Sequence, residues 1–103
     1  MSLSHSLRQE GGALVVALSG SFTFSEHNAF RKVIEEVTAT QPKRVTVDLE
    51  KLNRVDSAGL SMLVLLRDRV GKGGGTVQLR RPPAQVARIL DVVDFSQLFE
   101  ILR

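Results

Sequence analysis

Apolar residues along the chain follow two different periods. Ala13 to Leu18 in "GGALVVALSG" is a short β-rich run bounded by glycines, which predicts a strand. A second short strand, Ser4 to Arg8, would pair with it across the Gly11-Gly12 turn. Val45, Val47 and Leu49 alternate with polar residues and predict another strand, and "TVQLRR" predicts one more. Between them the period changes. Phe30, Val33, Ile34 and Val37 fall at i, i+3, i+4 and i+7, giving a helix with one apolar stripe. Thr23 and Glu26 have the spacing of a capping box at its start, with Ser25 as a rival cap. Gln41-Pro42 ends it. Val86, Ile89, Leu90 and Val93 make a similar stripe behind Pro82 and Pro83, prolines that suit a helix start. A third helical segment, "AGLSMLVLLRDRVGKGGG", is apolar nearly all round and is stopped by Gly71 to Gly75. "FSQLFEILR" predicts a turn and a last strand. Strands alternating with helices imply an α/β domain with a mostly parallel sheet and right-handed crossovers.

Composition narrows the chemistry. The 103 residues suit a single small domain over 1–103, with Met1 to Leu3 read as a tag remnant or disordered end. An apolar share of 43% is enough for one core. No apolar run approaches the roughly 20 residues that span a bilayer. "MSLSHSLRQE" lacks the apolar centre of a signal peptide, so membrane insertion is not expected and the expected location is the cytoplasm. The absence of cysteine removes disulfides, thiolate chemistry and cysteine-ligated metals. His5 and His27 are too far apart in sequence for a zinc set and read as a tail histidine and a first-turn helix histidine. No metal or cofactor is expected. The net charge of +3 is scattered and interleaved with acids, Tyr and Trp are absent, and most of the five Phe occupy core-like positions. Direct nucleic-acid binding is therefore not expected. "GKGGG" lacks the spacing of a phosphate loop and follows a helix instead of opening one, so it reads as a helix stop.

The stretch "RVDSAGLSML", Arg54 to Leu63, carries the candidate chemistry. "SAG" is half of a nucleophile elbow, but Val55 stands where its first glycine belongs, and neither histidine is placed to act as base. No catalytic residue is expected. Two readings remain. Asp56 or Ser57 can simply cap the helix that follows, with Gly59 in its first turn for close packing. Alternatively Ser57 is a regulated hydroxyl: at a helix start it lies beside unpaired N–H groups and the positive dipole end, where a phosphate is well solvated. That phosphate would add nearly two negative charges to whatever surface surrounds it. The helix is apolar on all sides, so the face away from the sheet, including Met62 with Leu60 or Leu66 beside it, is expected to be an exposed docking strip.

The stretch "VTVDLEKLNRVDSAGLSMLVLLRDRVGKGGGTVQL", with "LSGSF" before it and "ILDVVDFSQLFEI" after it, resembles the STAS domain of bacterial anti-sigma-factor antagonists, from about Ala13 to Ile101. The resemblance implies a four- to five-stranded mixed sheet with helices packed around it, and no catalysis. It implies a partner-switching protein that docks on an anti-sigma serine kinase of the GHKL type, is phosphorylated by it, and is restored by a PP2C-type phosphatase. The phosphorylated serine of the motif falls on Ser57, with Asp56, Ala58, Gly59, Leu60 and Met62 beside it as partner-binding positions. Thr23 also belongs to that surface and stands where antagonists often carry an acid. The alternative implied by the same likeness is a STAS subunit of a lipid-transport ABC complex that binds the ATPase.

Overall fold

The computed structural model describes residues 2–103. The chain runs β1 (Leu3–Glu10), β2 (Ala13–Phe22), α1 (His27–Ala39), β3 (Arg44–Val55), α2 (Ser57–Lys72), β4 (Thr76–Arg80), α3 (Ala84–Val92) and β5 (Glu100–Leu102). Single 3-10 turns at Phe24–Glu26 and Phe95–Gln97 precede α1 and β5. The five strands lie in the order β1-β2-β3-β4-β5, with β1 antiparallel to β2 and the remaining pairs parallel. Gly11 and Gly12 both take positive φ, +56° and +84°, which a two-residue hairpin turn between β1 and β2 requires.

This topology fixes where the helices go. The parallel strands advance in one direction across the sheet, so right-handed crossovers put α1, α2 and α3 on the same side. Phe30, Val33, Ile34 and Val37 of α1, Leu63 and Leu66 of α2, and Val86 and Leu90 of α3 accordingly join one core with Leu14, Val16, Leu18, Val45, Val47, Leu49, Val77 and Leu79 of the strands. The other face of the sheet carries Ser6, Arg8, Ala17, Thr46, Asp48, Gln78 and Arg80, alternating with the core positions. Among the described residues no helix is long and apolar enough to cross a membrane.

The structure departs from the sequence reading in several places. β3 does not stop near Leu49 but reaches Val55; its register against β2 shifts twice, between Ala17 and Ser19 and between Gly20 and Ser21. Each bulge breaks the period of two. Leu52 is therefore buried out of phase with Leu49, and "EKLNR" loses its strand signature. His5 is no tail residue: it lies in β1, with Nε2 2.8 Å from Glu36 Oε1 on α1. Leu3 opens β1, and its N–H donates to Glu26 Oε1 at 2.9 Å; Met1 lies outside the described residues. The side-chain half of the capping box does not form. Only the Glu26 N–H reaches back, to the Thr23 carbonyl at 2.9 Å, because the Glu26 carboxylate is taken by Leu3 and the Thr23 hydroxyl by Ser25. Ile89, expected on the buried stripe of α3, is only half-buried, as is Val64 of α2.

Candidate functional site

The long β3 delivers the "VDSAG" stretch to the end of β2. Val55 pairs with Phe22, and the Asp56 N–H donates to the Phe22 carbonyl at 3.3 Å. Asp56 has extended backbone (φ −115°, ψ −177°) and is the N-cap of α2. Its Oδ1 accepts from the Gly59 N–H at 2.9 Å, and its Oδ2 accepts from the Phe24 N–H at 3.1 Å. The side chain thus satisfies one of the orphan donors of α2 and ties the β2–α1 turn to it. The Gly59 N–H is the main force holding the Asp56 carboxyl below its ordinary value. Partial desolvation opposes it, and the Phe24 and Ala58 N–H groups and the Arg54 charge add to it.

Gly59 has its own structural reason. A Cβ there would collide with the Phe22 carbonyl oxygen, so only glycine lets the first turn of α2 sit against the end of β2. Asp56, Gly59 and Phe22 thereby form one structural unit. Ser57 stands outside it. It is the first helical residue and is exposed; its carbonyl accepts from the Ser61 hydroxyl at 3.0 Å, while the capping is done by Asp56. Of the two caps the sequence left open, the structure selects Asp56 and leaves the Ser57 hydroxyl with no capping role.

Met62 is a correction. It is only 8% exposed and belongs to the core, and Leu60 and Leu66 are buried as well. Met62 lies on the flank of α2 that packs against α1, its neighbour in the same helical layer, while the face opposite the sheet carries Ser57, Ser61 and Asp68. The broad apolar surface of α2 is used by the sheet beneath it and by α1 beside it. The surface α2 does present runs from Ser57 through Ser61 to Asp68, with Ala58, Val64 and Leu65 half-exposed along it. Thr23 is half-buried on the neighbouring turn, its Oγ1 3.2 Å from Ser25 Oγ.

Phe24 belongs to this surface and the sequence reading did not single it out. Its side chain is 69% exposed, while Phe22, Phe30, Phe95 and Phe99 are buried. Its ring stacks on His27, centroids 5.8 Å apart, and its N–H holds Asp56. Phe24 keeps the strand parity of Phe22, so periodicity places it in the core. The turn that begins at Thr23 puts it outside. The exposed site thus comprises Ser57, Ala58, Ser61, Thr23 and Phe24, underpinned by Asp56 and Gly59. Among the described residues no group of three or more His, Cys, Asp or Glu gathers as metal ligands would.

The family model described as "Mlab, STAS domain" matches residues 5–102. A STAS-domain containing protein of Pseudomonas aeruginosa (strain UCBPP-PA14) is 38% identical over 92 residues, covering 89% of this chain and 90% of that protein. Among solved structures, an anti-sigma factor antagonist from Mycobacterium paratuberculosis superposes with a TM-score of 0.86 over 97% of this chain and 85% of its own, at 21% identity. The Bacillus cell fate determinant SpoIIAA in its phosphorylated form superposes with a TM-score of 0.70 over 97% of this chain and 92% of its own, at 13% identity. At these identities the structural likeness establishes the fold.

Proposed function

The chain belongs to the STAS-domain family, and from that premise we propose that it is a non-enzymatic partner-switching regulator whose toggle is Ser57. In this reading the unphosphorylated domain docks on an anti-sigma serine kinase of the GHKL type through Thr23, Phe24, Ser57, Ala58 and Ser61. The kinase transfers a phosphoryl group from ATP to Ser57 Oγ, and a PP2C-type phosphatase hydrolyses it. Gly59 and Leu60, both buried, shape the turn without touching the partner, exposed Asp56 holds the turn from within the docking surface, and Met62 is withdrawn from the docking set because it is core.

The observation that carries this reading is the division of labour at the helix start. Asp56 accepts from Gly59 and Phe24, so Ser57 can be modified without losing the cap. A phosphate on Ser57 stays near the positive end of the α2 dipole and within reach of solvent, so the fold tolerates it. Docking does not, because a dianion desolvated at an interface without a cation opposite is costly. The presence of a phosphorylated form among proteins of this fold is consistent with that tolerance.

The test is phosphate transfer. Incubated with its co-purifying anti-sigma kinase and ATP, the chain should gain one phosphate, mapped by mass spectrometry to Ser57. Ser57→Ala should gain none while still binding. A phosphate mapped to Ser25, Ser61 or Thr23 instead would refute the assignment.

A second reading is a STAS subunit that binds the ATPase of a lipid-transport ABC complex. Two observations favour it: the matching family model is described as "Mlab, STAS domain" and not as an antagonist, and Thr23 occupies a position that antagonists often fill with an acid. Under it an ABC ATPase co-purifies, no kinase is required, and Ser57→Ala loses binding because the hydroxyl is a direct contact.

A further inference from the structure

We propose that the helix-free face of the sheet binds a compact organic phosphate, a phosphate ester with a hydroxylated body, in a trough over Ala17. Pairing builds the trough. One row across the strands reads Ser6, Ala17, Asp48 and the next reads Ser4, Ser19, Lys51. Small side chains make the floor, while Arg8, Lys51 and Arg81 stand at the rim, leaving a cavity of about 460 Å³. That volume falls within the roughly 300–1,000 Å³ of small-molecule sites and exceeds what a bare phosphate fills.

The charges favour an anion. Two acids line the trough, and both are paired: Asp48 Oδ2 accepts from Arg80 Nη2 at 3.1 Å and its Oδ1 from the Glu50 N–H at 3.1 Å, while the Glu50 carboxylate faces Arg81. Arg80 is shared with Glu10 at 2.8 Å, and its buried Nε has no acceptor among the described residues. Arg81 forms looser ion pairs with Asp48 at 3.7 Å and Glu50 at 3.8 Å, and Lys51 forms no ion pair among the described residues. Lys51 is thus left without a counter-ion among the described residues, and the four cations Arg8, Lys51, Arg80 and Arg81 outnumber the three carboxylates Glu10, Asp48 and Glu50, beside serine hydroxyls able to serve a polar body. No Phe, Tyr or Trp lines the trough, and the ring of His5, which does, is engaged with Glu36 on α1, which disfavours a ligand carrying a base.

Backbone strain is the independent observation. Arg81 takes a φ of +54°, a conformation that favours glycine, and it does so directly before Pro82, where extended backbone is preferred. Its N–H donates to the Leu102 carbonyl at 2.6 Å. The chain leaves β4 for α3 here, yet the Arg81 guanidinium lies back over Asp48 and Glu50 on the open face. Gln41 takes the same conformation before Pro42, and what sets Arg81 apart is that its strained backbone carries a guanidinium over the trough.

The test is an NMR titration of the full chain with glycerol 3-phosphate, inorganic phosphate and glycerol, and with vesicles containing phosphatidylglycerol. Saturable shifts are expected at the amides of Ser6, Ala17, Ser19 and Lys51 with glycerol 3-phosphate, and none with glycerol. Lys51→Ala and Arg81→Gly should each weaken binding about tenfold, as loss of a charge-assisted contact does. Arg81→Gly should do so with the melting temperature unchanged or raised, since glycine relieves the strain. If the vesicles compete with glycerol 3-phosphate in a Lys51-dependent way, the phosphate belongs to a lipid headgroup; if they do not, it belongs to a soluble ester. Inorganic phosphate binding as tightly as the ester, or affinity unchanged in both variants, would overturn the proposal.

Discussion

The two long sides of α2 look alike in sequence and behave in opposite ways. One side, with Leu60, Met62, Leu63, Leu66 and Val70, is sealed between the sheet and α1. The other runs from Ser57 past Ser61 to Asp68 and faces outward with Val64 and Leu65 half-exposed. Apolar residues occur on both, so hydrophobicity alone does not say which side meets a partner. What separates them is what lies alongside: the sheet and α1, the neighbour of α2 in the helical layer, cover the first side, and among the described residues no other element covers the second. Within a single turn the contrast sharpens to adjacent residues: Asp56 is fixed by two hydrogen bonds, and Ser57 is free of the cap.

Substitutions can break this contrast, and the largest effect belongs to the sealed side. Met62→Lys should cost about 3 kcal/mol by losing core packing and burying an ammonium without a partner. A melting temperature lower by roughly 10–20 °C in thermal unfolding would match; an unchanged one would put Met62 back at the surface. Gly59→Ala comes next, at about 2 kcal/mol, because the added Cβ meets the Phe22 carbonyl oxygen and the first turn must move. Denaturant unfolding measures it, and a stabilised variant would contradict the close approach. Asp56→Ala should cost about 1–2 kcal/mol as a lost N-cap with a second bond to Phe24.

That Asp56 contribution has a defined pH dependence. The carboxyl is held below its ordinary value of 3.8 in the folded state, so the unfolded chain binds the proton first. The difference between wild type and Asp56→Ala should therefore be full above that value and shrink as the pH falls through the lowered one. A difference that persists unchanged to about pH 2 would mean that the charge of Asp56 does no capping. Smallest of all is Ser57→Ala, expected within about 0.5 kcal/mol of wild type, as for an exposed residue with no capping bond.

The succession of strands and helices was legible from periodicity and turn residues, and the start of α2 was legible to within a residue from its two candidate caps. The bulged half of β3 was not. Two register shifts bring Leu52 inward among Glu50, Lys51, Asn53 and Arg54, and no period-2 pattern survives that. Met62 was misplaced for a different reason. The face of an all-apolar helix that meets solvent depends on which flank its neighbour α1 covers, and that contact has no local signature. Phe24 escaped because a turn after Thr23 reverses the parity that Phe22 had set. Asp56 and Ser57 were both legible as caps, but choosing between them needed the position of the Gly59 N–H.

The central claim is that Ser57 controls docking without supporting the fold, and one measurement reaches it most directly. It is the affinity of the co-purified partner for wild type, Ser57→Ala and the Ser57-phosphorylated protein, each first confirmed as folded. Wild type and Ser57→Ala should bind alike, within about twofold, and the phosphorylated form should bind at least about tenfold more weakly, the penalty of a desolvated charge. Equal binding by all three forms would reduce Ser57 to an ordinary first residue of a helix and contradict the account.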